Sequence, residues 1–194
     1  MKNCIVWSFW VWKTTLVEVL KADWLSVYTG NERTIIEEVW NPKGMDYLAG
    51  KAFQRLVEIR QMNKEEVWNY EVSDSSFITI LAYNYFALDE NHYKESYERI
   101  TDYLIKTPYD YIFYIPIEFG IVDDWVRFID ENLQKKIDDK IKDILTELWL
   151  KYITLTGAIE NRKYDYYKHV IWITEEYEWM KDTLSNTDSC DGIL

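Results

Sequence analysis

Short apolar runs alternate with stretches of helical periodicity along most of this chain, and that alternation limits the fold more than any single residue does. Lys2–Ser8, Leu25–Thr29, Tyr70–Ser73, Tyr109–Ile115 and Tyr152–Thr156 read as strands. The clearest is Tyr109–Ile115, rich in aromatics and isoleucine and bounded by Pro108 and Pro116. Helices are predicted over Lys13–Lys21, where Leu16, Val17 and Leu20 share a face, and over Arg33–Val39. Further helices are predicted over Met45–Val67, through Phe53, Leu56, Val57 and Ile59, and over Phe77–Leu88, His92–Lys106 and Glu131–Glu147. Pro42 and Gly44 mark a turn, Glu118–Asp130 reads as an acidic loop, and Gly157 ends the last strand. Strands alternating with helices predict an α/β fold: a central, mainly parallel five-stranded sheet covered by helices on both faces. One domain is expected over residues 1–184, with a disordered tail over 185–194.

Charge narrows the partners. The chain has 22 Lys+Arg against 34 Asp+Glu, a formal net charge of −12. Adhesion to nucleic acid or to an anionic membrane needs a basic footprint, so neither partner is expected. No apolar run approaches the roughly 20 residues that span a bilayer. The opening residues, Met1 to Val6, are too short an apolar segment for a signal peptide and carry no small-residue cleavage site, so a cytoplasmic location is expected. Cys4 and Cys190 lack metal-ligand spacing and read as reduced thiols. His92 and His169 sit in polar helical patterns and are assigned no chemistry.

The turn after the first strand is the most informative segment. Trp7-Ser8-Phe9-Trp10-Val11-Trp12-Lys13-Thr14-Thr15 fits the pattern G-x-x-x-x-G-K-[ST] at every defined place except the two glycines, and both of those are Trp. Glycine at 7, 10 and 12 would make a full Walker A loop, in its proper place between a strand and a helix. Such a loop wraps a phosphate with successive backbone N–H groups, which needs positive φ and no Cβ at the closest approach. Lys13 would then reach the β- and γ-phosphates of ATP, Thr14 would hold Mg²⁺, and the helix N-terminus would add its positive end. The expected fold is therefore the three-layer P-loop NTPase fold.

Composition bears on the missing glycines. The chain has 10 Trp and only 6 Gly, whereas average glycine usage is about 7% of residues. Taken together, the two types restore an ordinary glycine share of roughly 8%. Trp24 lies between a helix and a strand, Trp125 follows two acidic residues in a loop, and Trp149 stands where a helix should stop. Glycine is favoured at such positions, and core tryptophans would instead favour element interiors. A gene that reads UGA as glycine, translated with UGA as tryptophan, would give this pattern. The competing reading is a decayed, ATP-incompetent homologue with genuine tryptophans.

With the loop restored, residues from Lys2 to about Val170 resemble the AAA-type ATPase domain of NadR proteins, a P-loop kinase-like family that includes ribosylnicotinamide kinases. The resemblance is carried by the loop and by Arg33-Thr34-Ile35-Ile36-Glu37-Glu38, Val72-Ser73-Asp74-Ser75-Ser76 before the helix with Leu81-Ala82-Tyr83, Tyr109-Asp110-Tyr111-Ile112-Phe113-Tyr114, and Asp123-Asp124-Trp125-Val126-Arg127. It implies that Asp74, ending a central strand, orients the acceptor hydroxyl or a Mg²⁺-bound water, and that Arg127 is a lid arginine closing on the transferring phosphoryl group. As residues alone, Asp74 also reads as a helix N-cap and Arg127 as a solvated charge. Arg162 is a candidate for packing on the adenine, with a helix-surface charge the simpler reading. The family usually shows arginine where Ser75 stands and an acidic residue near Gly30.

The function these features predict is transfer of the ATP γ-phosphoryl to a nucleoside-like or other small hydroxyl-bearing metabolite. A P-loop ATPase acting on a protein partner, and an ATP-incompetent interaction protein using exposed tryptophans, are the alternatives.

Overall fold

All five residues of strand β1 (Asn3–Trp7) are buried, so this strand is the one from which the two faces of the sheet can be read. The computed structural model describes residues 2–7, 13–29, 51–67, 69–118 and 131–170. The other strands are β2 (Val27–Tyr28), β3 (Val72–Ser73), β4 (Tyr111–Ile115) and β5 (Ile153–Thr154). They form one sheet in the order β2-β3-β1-β4-β5, and every neighbouring pair is parallel. The register of β1 on β4 runs unbroken from Asn3 opposite Tyr111 to Trp7 opposite Ile115.

Successive residues of a strand face opposite sides. Cys4 and Val6 of β1 join Ile112 and Tyr114 of β4 in one core, against helices α2 (Lys51–Glu66), α3 (Phe77–Ala87), α4 (Glu90–Lys106) and α5 (Glu131–Glu147). Ile5, Trp7, Phe113 and Ile115 face the other way, onto α1 (Lys13–Ala22) and α6 (Ile159–Val170) through Leu16, Val17, Leu20, Tyr166 and Tyr167. The result is the expected three-layer α/β architecture. Parallel strands need crossovers long enough to hold a helix, and those helices cover both faces.

Most predicted elements appear within a few residues of their expected bounds. The helix over Arg33–Val39, the beginning of the Met45–Val67 helix, the loop from residue 119 to 130, Cys190 and the tail after Leu184 lie outside the described residues. Helix α6 was not predicted as an element; only a polar helical pattern around His169 pointed to it. It is anchored to the end of α1 by the Tyr167 hydroxyl, which donates to Asp23 Oδ2 (2.8 Å), and by Lys163, 2.6 Å from the same oxygen.

Both α1 and α5 end in the same way. Trp24 donates its backbone N–H to the Lys21 carbonyl (3.0 Å) and Leu25 to the Leu20 carbonyl (3.2 Å). At the other helix Trp149 donates to Thr146 (3.1 Å) and Leu150 to Leu145 (2.9 Å). This pair of bonds defines the Schellman ending, which satisfies two orphan carbonyls and puts the residue after the C-cap in the left-handed region. Accordingly φ is 69° at Trp24 and 54° at Trp149.

Helix α2 buries a polar stripe. Gln54, Glu58, Gln61 and Glu65 recur at four, three and four residues, beside the apolar Phe53 and Val57. Glu58 Oε1 accepts from Asn84 Nδ2 (2.8 Å) and Ser96 Oγ (2.5 Å), and its Oε2 accepts from Arg55 and Arg99 (2.8 Å each). One carboxylate thus joins α2, α3 and α4. Glu58→Ala is expected to cost about 2–4 kcal/mol, because Asn84 and Ser96 stay buried with an acceptor lost. Arg55→Ala is expected to cost under about 1 kcal/mol, its charge being close to water. Chemical denaturation of the two variants checks the order.

Candidate functional site

A parallel sheet sends every strand's carboxyl end to one edge, and ligands bind where neighbouring strands lead away in opposite directions. Here β1 leads toward β2 on one side and β4 toward β5 on the other, so that point lies at the carboxyl ends of β1 and β4. The segment leaving β1 at that point is the tryptophan-bearing loop. Trp7 is the last residue of β1, buried against the α1 and α6 layer. Ser8, Phe9, Trp10, Val11 and Trp12 lie outside the described residues, as does Arg127. Lys13 and Thr14 open α1, with Thr15 exposed after them, so the helix starts where the loop pattern requires.

Asp74 stands just past β3, the strand beside β1. Its backbone N–H donates to the Tyr28 carbonyl (2.9 Å), which carries the β2–β3 pairing one residue further. The next residues turn on local hydrogen bonds: Ser73 Oγ donates to the Ser75 carbonyl (2.6 Å) and accepts the Ser75 N–H (3.2 Å). Ser76, not Asp74, caps α3, its Oγ accepting the Thr79 N–H (3.1 Å). The N-cap reading of Asp74 is therefore set aside. Asp74 as a whole is only 3% exposed, and Ser75, where arginine is expected from the resemblance, is buried.

Behind this turn lies a buried polar cluster that sequence reasoning missed. Glu65 Oε1 accepts from the Tyr109 hydroxyl (2.5 Å) and from Gln61 Nε2 (2.8 Å), while Lys2 Nζ lies 2.7 Å from Oε2. Gln61 Nε2 also reaches the Ser75 carbonyl (3.4 Å), and the Tyr109 hydroxyl accepts the Phe77 N–H (3.2 Å). Burial, with the Glu65 charge beside it, pushes the Tyr109 phenol far above its ordinary range, and the Cys4 thiol is raised by the same two causes. Tyr109 is a fixed neutral donor and Cys4 an inert core thiol. The signal for this cluster was present in α2, as polar residues at core spacing.

On the other side of β1, Arg162 departs from its simpler reading. It is 1% exposed, so it is no helix-surface charge. Its guanidinium donates to Glu118 Oε2 (2.7 Å). The same carboxylate accepts the Gly157 N–H at both oxygens (3.1 and 2.8 Å). Gly157 has φ 78°, and a Cβ there would meet Asn161 Nδ2 at 3.1 Å. Glu118 thus ties the segment leaving β4 to the turn between β5 and α6. Glu118→Ala is expected to cost about 3 kcal/mol, since a buried guanidinium loses a carboxylate partner, whereas Glu118→Gln should recover part of the loss through the retained acceptor oxygen. Thermal melts of both variants check this.

The comparisons fit this geometry. No curated protein matches the sequence. Among solved structures, the chain is similar to a NadR protein in complex with NR, with a TM-score of 0.69 and 18% identity; the match covers 87% of this chain and 51% of that one, so this chain spans about half of that protein's length. It is also similar to the deoxyadenosine kinase from M. mycoides. With bound dATP the TM-score is 0.52 at 12% identity, covering 82% of this chain and 92% of the kinase. With dCMP and dCDP the TM-score is 0.52 at 12% identity, covering 96% and 100%. At these identities the likeness shows a shared fold. Residues 12–162, well over half of the chain, match the AAA domain family, and the chain belongs to that family.

Proposed function

We propose that this protein binds ATP·Mg²⁺ in the turn between β1 and α1 and transfers the γ-phosphoryl to the hydroxyl of a nucleoside-like metabolite. The observation that carries the reading is the placement of a lysine and a threonine at the start of α1, after the central strand, with the buried Asp74 carboxylate ending the strand alongside. The donor set fits the nucleotide in kind. Lys13 would neutralise phosphate charge, the Thr14 hydroxyl would hold Mg²⁺, and the first N–H groups of α1 would face an anion. The loop pattern asks for glycine where the backbone meets the phosphate, directly before Lys13, because a Cβ at that closest approach would stand between the amides and the anion.

Phosphoryl transfer asks mainly for positioning and charge neutralisation. Asp74 suits the first task, because the local hydrogen bonds of Ser73, Ser75 and Ser76 hold its backbone. It would accept the proton of the acceptor hydroxyl or orient a Mg²⁺-bound water. Arg127 would supply positive charge from the acidic loop, and Arg162, buried beside Glu118, would support the wall on the β5 side. A nucleoside-like acceptor is favoured because the folds similar to this one include a NadR protein bound to NR and a deoxyadenosine kinase. A protein with glycine at 7, 10 and 12 should leave ATP largely intact until a nucleoside is added. Hydrolysis driven by a protein partner alone would favour the ATPase reading.

In that glycine-bearing protein Lys13→Ala is expected to abolish ATP binding measured by titration calorimetry; an unchanged affinity overturns the loop assignment. Asp74→Asn is expected to lower kcat by about 10²–10⁴-fold, with Mg²⁺-free ATP affinity unchanged.

A further inference from the structure

We infer that positions 24 and 149, and with them 7, 10 and 12, carry glycine in the protein as its own cells make it. The inference rests first on backbone geometry remote from the nucleotide site, so it does not depend on the function proposed above.

Among the described residues three have positive φ: Trp24, Trp149 and Gly157. Tryptophan occupies the second residue past α1 and the second past α5, directly after the C-cap, each time with the double Schellman hydrogen bond that makes this position left-handed. Glycine takes this conformation without penalty because it has no Cβ; a bulky side chain there is strained. The chain cannot relax away from it. At the end of α1, Asp23 is held by Lys163 and Tyr167 on one side of Trp24, and Leu25 packs against the α1 and α6 layer on the other. At the end of α5, Leu148 and Leu150 both pack on the larger core around Trp149.

The indoles gain nothing in exchange for the strain. Trp24 is 94% exposed and Trp149 92%, so the largest apolar side chain in the repertoire stands in water at both helix ends. Two such residues in the same motif at separate sites match a single substitution rule rather than two local adaptations. The loop obeys the same rule by spacing, since Trp7 and Trp12 fall on the two glycines of the phosphate-binding pattern and Trp10 on a third position inside it. Trp7 is buried, so its case rests on the pattern alone. Gene-wide reading of UGA as glycine produces this set from one cause.

The experiment is mass spectrometry of tryptic peptides from the protein purified from the cells that carry the gene. The peptides spanning residues 22–33, 143–151 and 3–13 hold positions 24, 149 and 7, 10 and 12 respectively. Glycine at all five is expected. Tryptophan at 24 or 149 overturns the inference. Glycine at 24 and 149 with tryptophan in the loop upholds it at the helix ends, overturns it in the loop, and removes the nucleotide reading. A second measurement uses the tryptophan-bearing chain: Trp24→Gly and Trp149→Gly should each raise Tm by about 2–4 °C, while Trp24→Ala and Trp149→Ala, which keep a Cβ, should not. Equal effects of glycine and alanine would overturn the backbone argument.

Discussion

The pairing of β1 with β4 is the constraint on which the rest of the molecule depends. Five consecutive residues in parallel register put Cys4, Val6, Ile112 and Tyr114 on one face and Ile5, Trp7, Phe113 and Ile115 on the other. A slip by one residue would turn every one of these side chains to the wrong layer. The same register brings the ends of both strands to one level. The loop that follows Trp7 and the segment that leads from Ile115 to Glu118 therefore start side by side, and Glu118 reaches across to Gly157 and Arg162. Both the candidate phosphate turn and the wall beside it are consequences of that one alignment.

Charged groups hold the interior on the other face. A buried carboxylate is costly unless it is paired and hydrogen-bonded, and α2 carries two, Glu58 and Glu65, each with several donors. Apolar side chains in those places could add as much stability, but they would pack in many arrangements. Carboxylates with fixed donors accept few. Glu58 sets α2 against α3 and α4, and Glu65, through Gln61 and Tyr109, sets α2 against the turn that carries Asp74. The position of the candidate catalytic carboxylate thus depends on polar contacts several residues away from it.

Periodicity made the layers legible. Strands β1 and β4, with their long buried runs, and helices such as α5, with isoleucines at helical spacing, could be read from the sequence because burial of one face repeats at a fixed interval. The polar contacts could not. Glu65 and Tyr109 are 44 residues apart, as are Glu118 and Arg162, and no local pattern joins them. Arg162 shows the limit most plainly: in a polar helix an arginine looks like a surface charge until a distant glutamate gives it a partner. Asp74 was legible as the residue that follows a central strand, while the distinction from an N-cap needed the Ser76 hydroxyl.

The tryptophans connect the fold to the function through what each position asks of the backbone. At the ends of α1 and α5 an indole in a left-handed residue strains the local turn, yet it projects into water and displaces nothing, so the helices still end where they should. At the end of β1 an indole finds room in the core, because that strand faces a layer of large aromatic side chains including Phe113 and Tyr166. A phosphate loop offers neither escape. Its amides must converge on one anion at hydrogen-bond distance, so a Cβ at the closest approach excludes the ligand itself. Tryptophan at positions 7, 24 and 149 is thus compatible with the parallel sheet and with both helix ends, whereas a loop that has to close on an anion would not accept it.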